Sequence, residues 1–227
     1  GGSTPDETFD ACFGRLFFGV GGGAIVQTMR ELGRLNTLPG MPRSNASHSI
    51  FALLDEPLAG SLINQLPRST LDKIVEGCAE AEQTLRASLV ATTDRLSVEE
   101  MIYSARMMSY AARKVQTSQD ILADLKGLAQ GLGDPLVQLP QAIGRLRALD
   151  SELGELTEVF RDLWLRRARH SEIEITLGHL SRLRERFAVA QDCLRSRLVR
   201  VEAGVTPDYD LGEYTQAAGS YEILGQA

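Results

Sequence analysis

The sequence predicts an all-α protein, an up-and-down bundle of about four long antiparallel helices with shorter helices ahead of them. Three observations predict it. Apolar residues recur at helical spacing over stretches of roughly 25 to 35 residues. Those stretches are joined by short turns, which force neighbouring helices to run antiparallel. Several of their starts carry an N-cap hydroxyl followed by carboxylates, the pattern that satisfies the orphan amides of a first helical turn.

Taken in order, Thr4-Pro5-Asp6-Glu7 reads as the first cap, ahead of Phe9, Cys12, Phe13 and Leu16. A second helix is expected from Ala24 to Asn36, with Ile25, Met29, Leu32 and Leu35 on one stripe; Pro39, Gly40 and Pro42 forbid its continuation. Residues 43–67 are the least regular part, with short apolar pieces between prolines. From Ser69 to about Thr93 the stripe is Leu71, Ile74, Val75, Cys78, Leu85 and Leu89. Ser97-Val98-Glu99-Glu100 then reads as a capping box opening a helix to about Leu132, with Met101, Ala105, Met108, Ala112, Val115, Leu122 and Leu125 inward.

Gly133-Asp134-Pro135 stops that helix, and the next is expected from about Pro140 to Arg167, with Ile143, Leu146, Leu149, Leu153, Leu156, Phe160, Leu163 and Trp164 facing inward. Ser171-Glu172-Ile173-Glu174 reads as the last capping box, ahead of Leu177, Leu180, Leu183, Phe187, Leu194, Leu198 and Val201, with Gly204 as the residue after the helix end. The expected organisation is residues 1–68 as short helices and an irregular segment packing on the bundle, 69–204 as the bundle, and 205–227 as a tail. That tail is either docked or disordered, and Tyr209, Tyr214 and Tyr221 favour docking, because tyrosine buries much area at small entropic cost.

The chain has 227 residues, a formal charge of −6 and a pI near 5.2. That field repels phosphate backbones and anionic bilayer surfaces, so nucleic acid is not the expected partner. A hydrophobic fraction of 43% with a mean hydropathy of −0.11 is too apolar for a disordered chain, and no apolar run is long enough for a spanning helix. Lys73, Lys114 and Lys126 are the only lysines, so the basic residues are overwhelmingly arginine. Gly1-Gly2-Ser3 reads as a linker remnant. Cys12, Cys78 and Cys193, odd in number and widely spaced among apolar neighbours, read as buried thiols rather than as a disulfide framework.

No motif commits the chain to chemistry. Gly19-Val20-Gly21-Gly22-Gly23-Ala24 has the form of a dinucleotide fingerprint, but it follows a capped helix where that chemistry needs a strand, so it reads as a hinge between helices. His48, His170 and His179 lack metal-ligand spacing, and no Glu-x-x-His pair falls on an expected helix; no metal and no cofactor are expected. Glu99-Glu100 and Glu174 are explained by capping. Asp55-Glu56 before Pro57 resembles a catalytic carboxylate dyad in residue type alone. Arg161, Arg166, Arg167 and Arg169 collect around Trp164, which could anchor an interface or simply complement a helix C-terminus.

At Phe160–Leu183, FRDLWLRRARHSEIEITLGHLSRL, the chain resembles the C-terminal helical region of bacterial family-20 glycoside hydrolases, the β-N-acetylhexosaminidase type. The opening, Phe9-Asp10 through Gly19, then Leu32–Asn36 and Pro42–Asn45, is similar to the stretch that follows the barrel in those enzymes. The resemblance implies a domain without catalytic residues of its own, because the barrel and its Asp-Glu pair are not part of this sequence. It also implies docking on the catalytic barrel of the same parent protein and a homodimer, in the bacterial cytoplasm or secreted with the enzyme. The candidate interface residues are Arg43, Asn45, Trp164, Arg166, Arg169, Tyr209, Tyr214 and Tyr221. The alternative from the residues alone is a free-standing helical-bundle interaction or adaptor protein.

Overall fold

The computed structural model describes residues 6–19, 22–38, 40, 52–168, 172–212 and 214. Among them are six helices longer than one turn or two: α1 (Asp6–Phe18), α2 (Gly22–Leu35), α3 (Arg68–Ser88), α4 (Arg95–Ala129), α5 (Pro135–Arg167) and α6 (Ile173–Glu202). No strand occurs among the described residues. The all-α bundle is therefore the fold of the protein.

The expected stripes of α3 to α6 are buried, whereas Phe9, Cys12 and Leu16 of α1 and Met29 of α2 are exposed. Leu71, Ile74, Cys78 and Leu85 of α3, Ala105, Ala112, Val115 and Leu125 of α4, Leu146, Leu149, Leu153 and Leu156 of α5, and Leu180, Leu183, Phe187 and Leu194 of α6 all lie inside. Met101, Met108, Leu122, Leu198 and Val201 pack against that core from its edge. A fully buried leucine or phenylalanine contributes about 1.5–3 kcal/mol relative to an exposed one, so these stripes hold helices that propensity alone would not. Tyr110, also fully buried, donates its hydroxyl to the Leu149 carbonyl at 3.2 Å and so bridges α4 to α5.

Several helix ends differ from expectation, and α3 stops at Ser88 rather than at about Thr93. Helix α4 starts two residues before Ser97, because Asp94 is the cap: it accepts from the Ser97 amide at 3.1 Å and from its hydroxyl at 2.6 Å, which hold the Asp94 carboxyl below its ordinary range. Helix α5 starts at Pro135 rather than Pro140, with Asp134 accepting from the Leu136 amide at 2.9 Å. Pro140 lies inside the helix, in its second turn, where it costs one amide donor to the Leu136 carbonyl. Before α6, Glu172 occupies the left-handed region at φ 74° and makes no side-chain cap; the Ser171 of the expected capping box, like Thr4 and Pro5, lies outside the described residues. Helix α4 ends at Ala129, where Gly131 and Gly133, at φ 74° and 97°, reverse the chain before α5.

Helices α1 and α2 meet at 112°. Their crossing rests on Gly14 and Gly22: a Cβ on either would collide with the other's backbone. Thr93, just before α4, closes the α1 end, its amide and hydroxyl donating to the Phe18 and Phe17 carbonyls at 3.1 Å. The glycine-rich stretch thus joins two helices, as its context predicts. No single helix among the described residues is long and apolar enough to cross a membrane.

The helices pack as sequential neighbours: α1 on α2, α2 on α3, α3 on α4, α4 on α5 and α5 on α6. Among the described residues α6 does not pack back on α3 or α4. On that flank α4 and α6 both reach instead for the 55–58 stretch, α4 through Lys114 and Ser118 and α6 through Arg186.

Candidate functional site

Of the candidate interface residues, Arg43, Asn45, Arg169 and Tyr221 lie outside the described residues. The other four fall into two separate places. Trp164 and Arg166 sit at the end of α5. Trp164 lies 5.7 Å from the Phe160 ring, which lies 5.9 Å from Tyr103 of α4, giving an aromatic ladder along the α4–α5 seam. The arginines around it are engaged. Arg166 pairs with Glu99 at 2.6 Å and Asp162 at 3.3 Å; Arg167 donates to Glu100 at 2.6 Å and the Ser97 hydroxyl at 2.8 Å; Arg161 pairs with Glu158 at 2.6 Å. Glu99 and Glu100 are therefore not capping residues, as the sequence pattern implied. They take the arginines of α5, because Asp94 has already supplied the cap one turn earlier.

Tyr209 and Tyr214 belong to the second place. The chain turns at Gly204, φ 74°, and runs without helix through residues 205–210. Asp208 and Asp210 shape the run by accepting from the Asp210 and Gly212 amides at 2.8 and 3.1 Å. Buried Arg197 of α6 ties it down, donating to the Asp210 carbonyl, while Pro207 and Leu211 are buried and Tyr209 packs on the core. Tyr214, fully buried, donates its hydroxyl to Glu56 Oε2 at 3.1 Å.

Glu56 is the hub of a buried polar cluster. Arg186 of α6 reaches its other carboxylate oxygen at 3.2 Å. Burial pushes the Glu56 carboxyl above its ordinary range, against Arg186, the Tyr214 hydroxyl and Lys114, which pull it down. Lys114 of α4, 1% exposed, donates to the Asp55 carbonyl. Burial pushes its ammonium down to about 8, against the opposing pull of Asp55 and Glu56. One turn on, Ser118 donates to the Pro57 carbonyl, and Gln119 donates to the Ile63 and Leu66 carbonyls at 2.7 and 2.9 Å.

Asp55 does something different from Glu56. Its carboxylate accepts from the Ser61 and Leu62 amides at 3.1 and 2.8 Å and folds the segment back on itself. Gly60 is required there, because a Cβ would strike that carboxylate. The adjacent acids thus have two structural tasks, one local and one between elements. The dyad is not arranged as two carboxylates facing a common cleft.

Sequence reasoning named the Asp55-Glu56 pair apart from Tyr214 and missed Lys114 and Arg186 as partners of that pair, and Ser118 as the donor to the Pro57 carbonyl. A signal existed: Tyr110, Lys114 and Ser118 share one face of α4 with Ala111 and Val115, so a rare lysine falls on an apolar stripe.

The remaining candidates are dispersed. Cys78 is buried and its thiol pushed up to about 12 by burial; Cys193 is half-buried with its sulfur 2.8 Å from Arg197. Cys12 is exposed, contrary to the expected buried thiol. His179 lies beside Arg182 at 3.4 Å, and His48 and His170 are outside the described residues. Among the described residues no group of three His, Cys, Asp or Glu side chains could hold a metal ion. Neither a protein-family model nor a curated protein matches the chain.

Proposed function

We propose that the chain is a non-catalytic helical accessory and dimerisation domain of a β-N-acetylhexosaminidase-like glycoside hydrolase, docked on the catalytic barrel of the same protein. The parent enzyme would remove terminal N-acetylhexosamine residues from glycans. The observation that carries the reading is the outer face of α1. Phe9, Leu16 and Phe17 are 56%, 79% and 52% exposed, and Phe9, Phe13 and Phe17 stack along the helix with ring centroids 5.9 and 4.5 Å apart. A contiguous aromatic ribbon on the surface marks a place where something else packs. The resemblance to family-20 enzymes puts the barrel ahead of α1. The polar clusters support the same reading, since Glu56 and Lys114 are spent on internal contacts rather than on an open cleft.

The test is to express the upstream part of the reading frame separately and ask whether it co-purifies with this chain. Binding by the wild-type chain, lost in a Phe9→Ser, Leu16→Ser, Phe17→Ser variant, is the expected result. An upstream frame that encodes no barrel would favour the free-standing adaptor instead. Turnover of a chromogenic N-acetylglucosaminide by the isolated chain would overturn the non-catalytic assignment. A monomeric mass by light scattering would remove dimerisation from it.

A further inference from the structure

The tail and the 55–66 segment meet on the flank where α4 and α6 do not touch, and each depends on the other for burial of a polar group. The segment has little regular structure of its own. Its backbone bonds are isolated turns, Ile63 to Gly60, Gln65 to Leu62 and Leu66 to Leu62, at 3.1–3.3 Å. It is held from one side by Lys114, Ser118 and Gln119 of α4, and from the other by Arg186 and Tyr214 through Glu56. The tail is likewise without regular structure through residues 205–210, and its anchors are Pro207, Leu211, Tyr214 and the Arg197 contact. Between the tail and α6 lie residues 203–206, all exposed, with Gly204 in the left-handed region. That joint holds no buried residue, so it can bend without disturbing the packing of α6 itself.

We infer that residues 207–212 with Tyr214 form a latch whose catch is Glu56, so that the tail and the 55–66 segment open together as one unit while the long helices stay folded. The groups facing Glu56 are Arg186 from α6, Lys114 from α4, Tyr214 from the tail and its neighbour Asp55. When Tyr214 leaves, water reaches the carboxylate. The segment then loses its outer cover and keeps its α4 contacts and the Arg186 pair. Closing the latch reverses this, and the burial of Tyr214 and Leu211 drives it. The latch gives the protein a conformational state besides the closed one, with the Glu56–Arg186 pair uncovered.

Hydrogen exchange of the full chain, read by mass spectrometry at neutral pH, tests it. Tyr214→Phe keeps the ring and removes the hydroxyl. Exchange is expected to quicken about tenfold in both 55–66 and 207–212, with peptides from the middle of α5 unchanged. Leu211→Ala, which loosens the tail through packing without touching the Glu56 hydrogen bond, is expected to quicken the same two regions together. Faster exchange in the tail alone would overturn the inference. So would equal acceleration throughout α5, or no change in either variant.

Discussion

Helix α5 and the 55–66 segment both lie against α4, and they are held there by different forces. Helix α5 presents Leu146, Leu149, Leu153 and Leu156, all buried, and satisfies its own backbone internally. The segment also buries leucines, Leu58, Leu62 and Leu66, but its backbone carbonyls must be met from outside, by Lys114, Ser118 and Gln119. Apolar packing is tolerant of direction, whereas these polar contacts each need a particular donor at a particular place. A helix can thus lean on any complementary stripe, while the irregular segment is specific to this face of α4.

The difference can be broken most severely on the apolar side. Phe187→Ala, at a fully buried position of α6, should cost about 3–5 kcal/mol. A urea titration followed by Trp164 fluorescence would read this as a fall in the global midpoint. On the polar side, Glu56→Ala removes the acceptor of the buried Tyr214 hydroxyl and one ion pair of Arg186, at about 1–3 kcal/mol. Glu56→Gln retains an acceptor for the tyrosine and should cost less. Limited proteolysis of the 55–66 region would rank the two.

The pH dependence sharpens the contrast, because the ionisable groups buried in the hub have no counterpart in the α5–α6 seam. Lys114 titrates at about 8 in the folded chain, below its ordinary 10.5. Its contribution is therefore gained as pH climbs from about 8 and is fully present only above 10.5; it is lost as pH falls through 8. The swing is about 3 kcal/mol at most, and Lys114→Met should abolish it. Glu56 acts in the opposite sense in another window. Its raised carboxyl gives stability that is complete below its ordinary 4.5 and lost as pH rises through the folded value. Melting temperatures from pH 7 to 10 would isolate the lysine. The smallest effect is expected at the α5 end, where Arg166→Ala and Arg167→Ala remove surface ion pairs to α4; the urea midpoint should barely move, and less still in high salt.

The same contrast decides what could be read from the sequence. The long helices were legible because burial repeats every three or four residues, as in Leu146, Leu149, Leu153 and Leu156. Their ends were less so: Asp94 rather than Ser97 caps α4, because either residue type fits and only the register of the backbone chooses. The hub was legible in one residue at a time. Glu56 and Tyr214 are 158 positions apart, and nothing periodic links them. The Arg166 and Arg167 cluster could be read as an interface anchor or as the complement of a helix C-terminus, and its pairing with Glu99 and Glu100, about 67 positions away, was not legible. The exposed face of α1 was hidden for the converse reason: Phe9, Leu16 and Phe17 look like core residues until α2 is seen to cover only the other side of the helix.

Hydrogen exchange of the wild-type chain across increasing subdenaturing urea tests most directly whether the helical frame and the latched segment are separate cooperative units. Two tiers are predicted: amides of 55–66 and 207–212 opening together at low free energy with a shallow urea dependence, and amides in the middle of α4, α5 and α6 opening only with global unfolding. A single tier, with all of these regions converging on one free energy and one slope, would contradict the account.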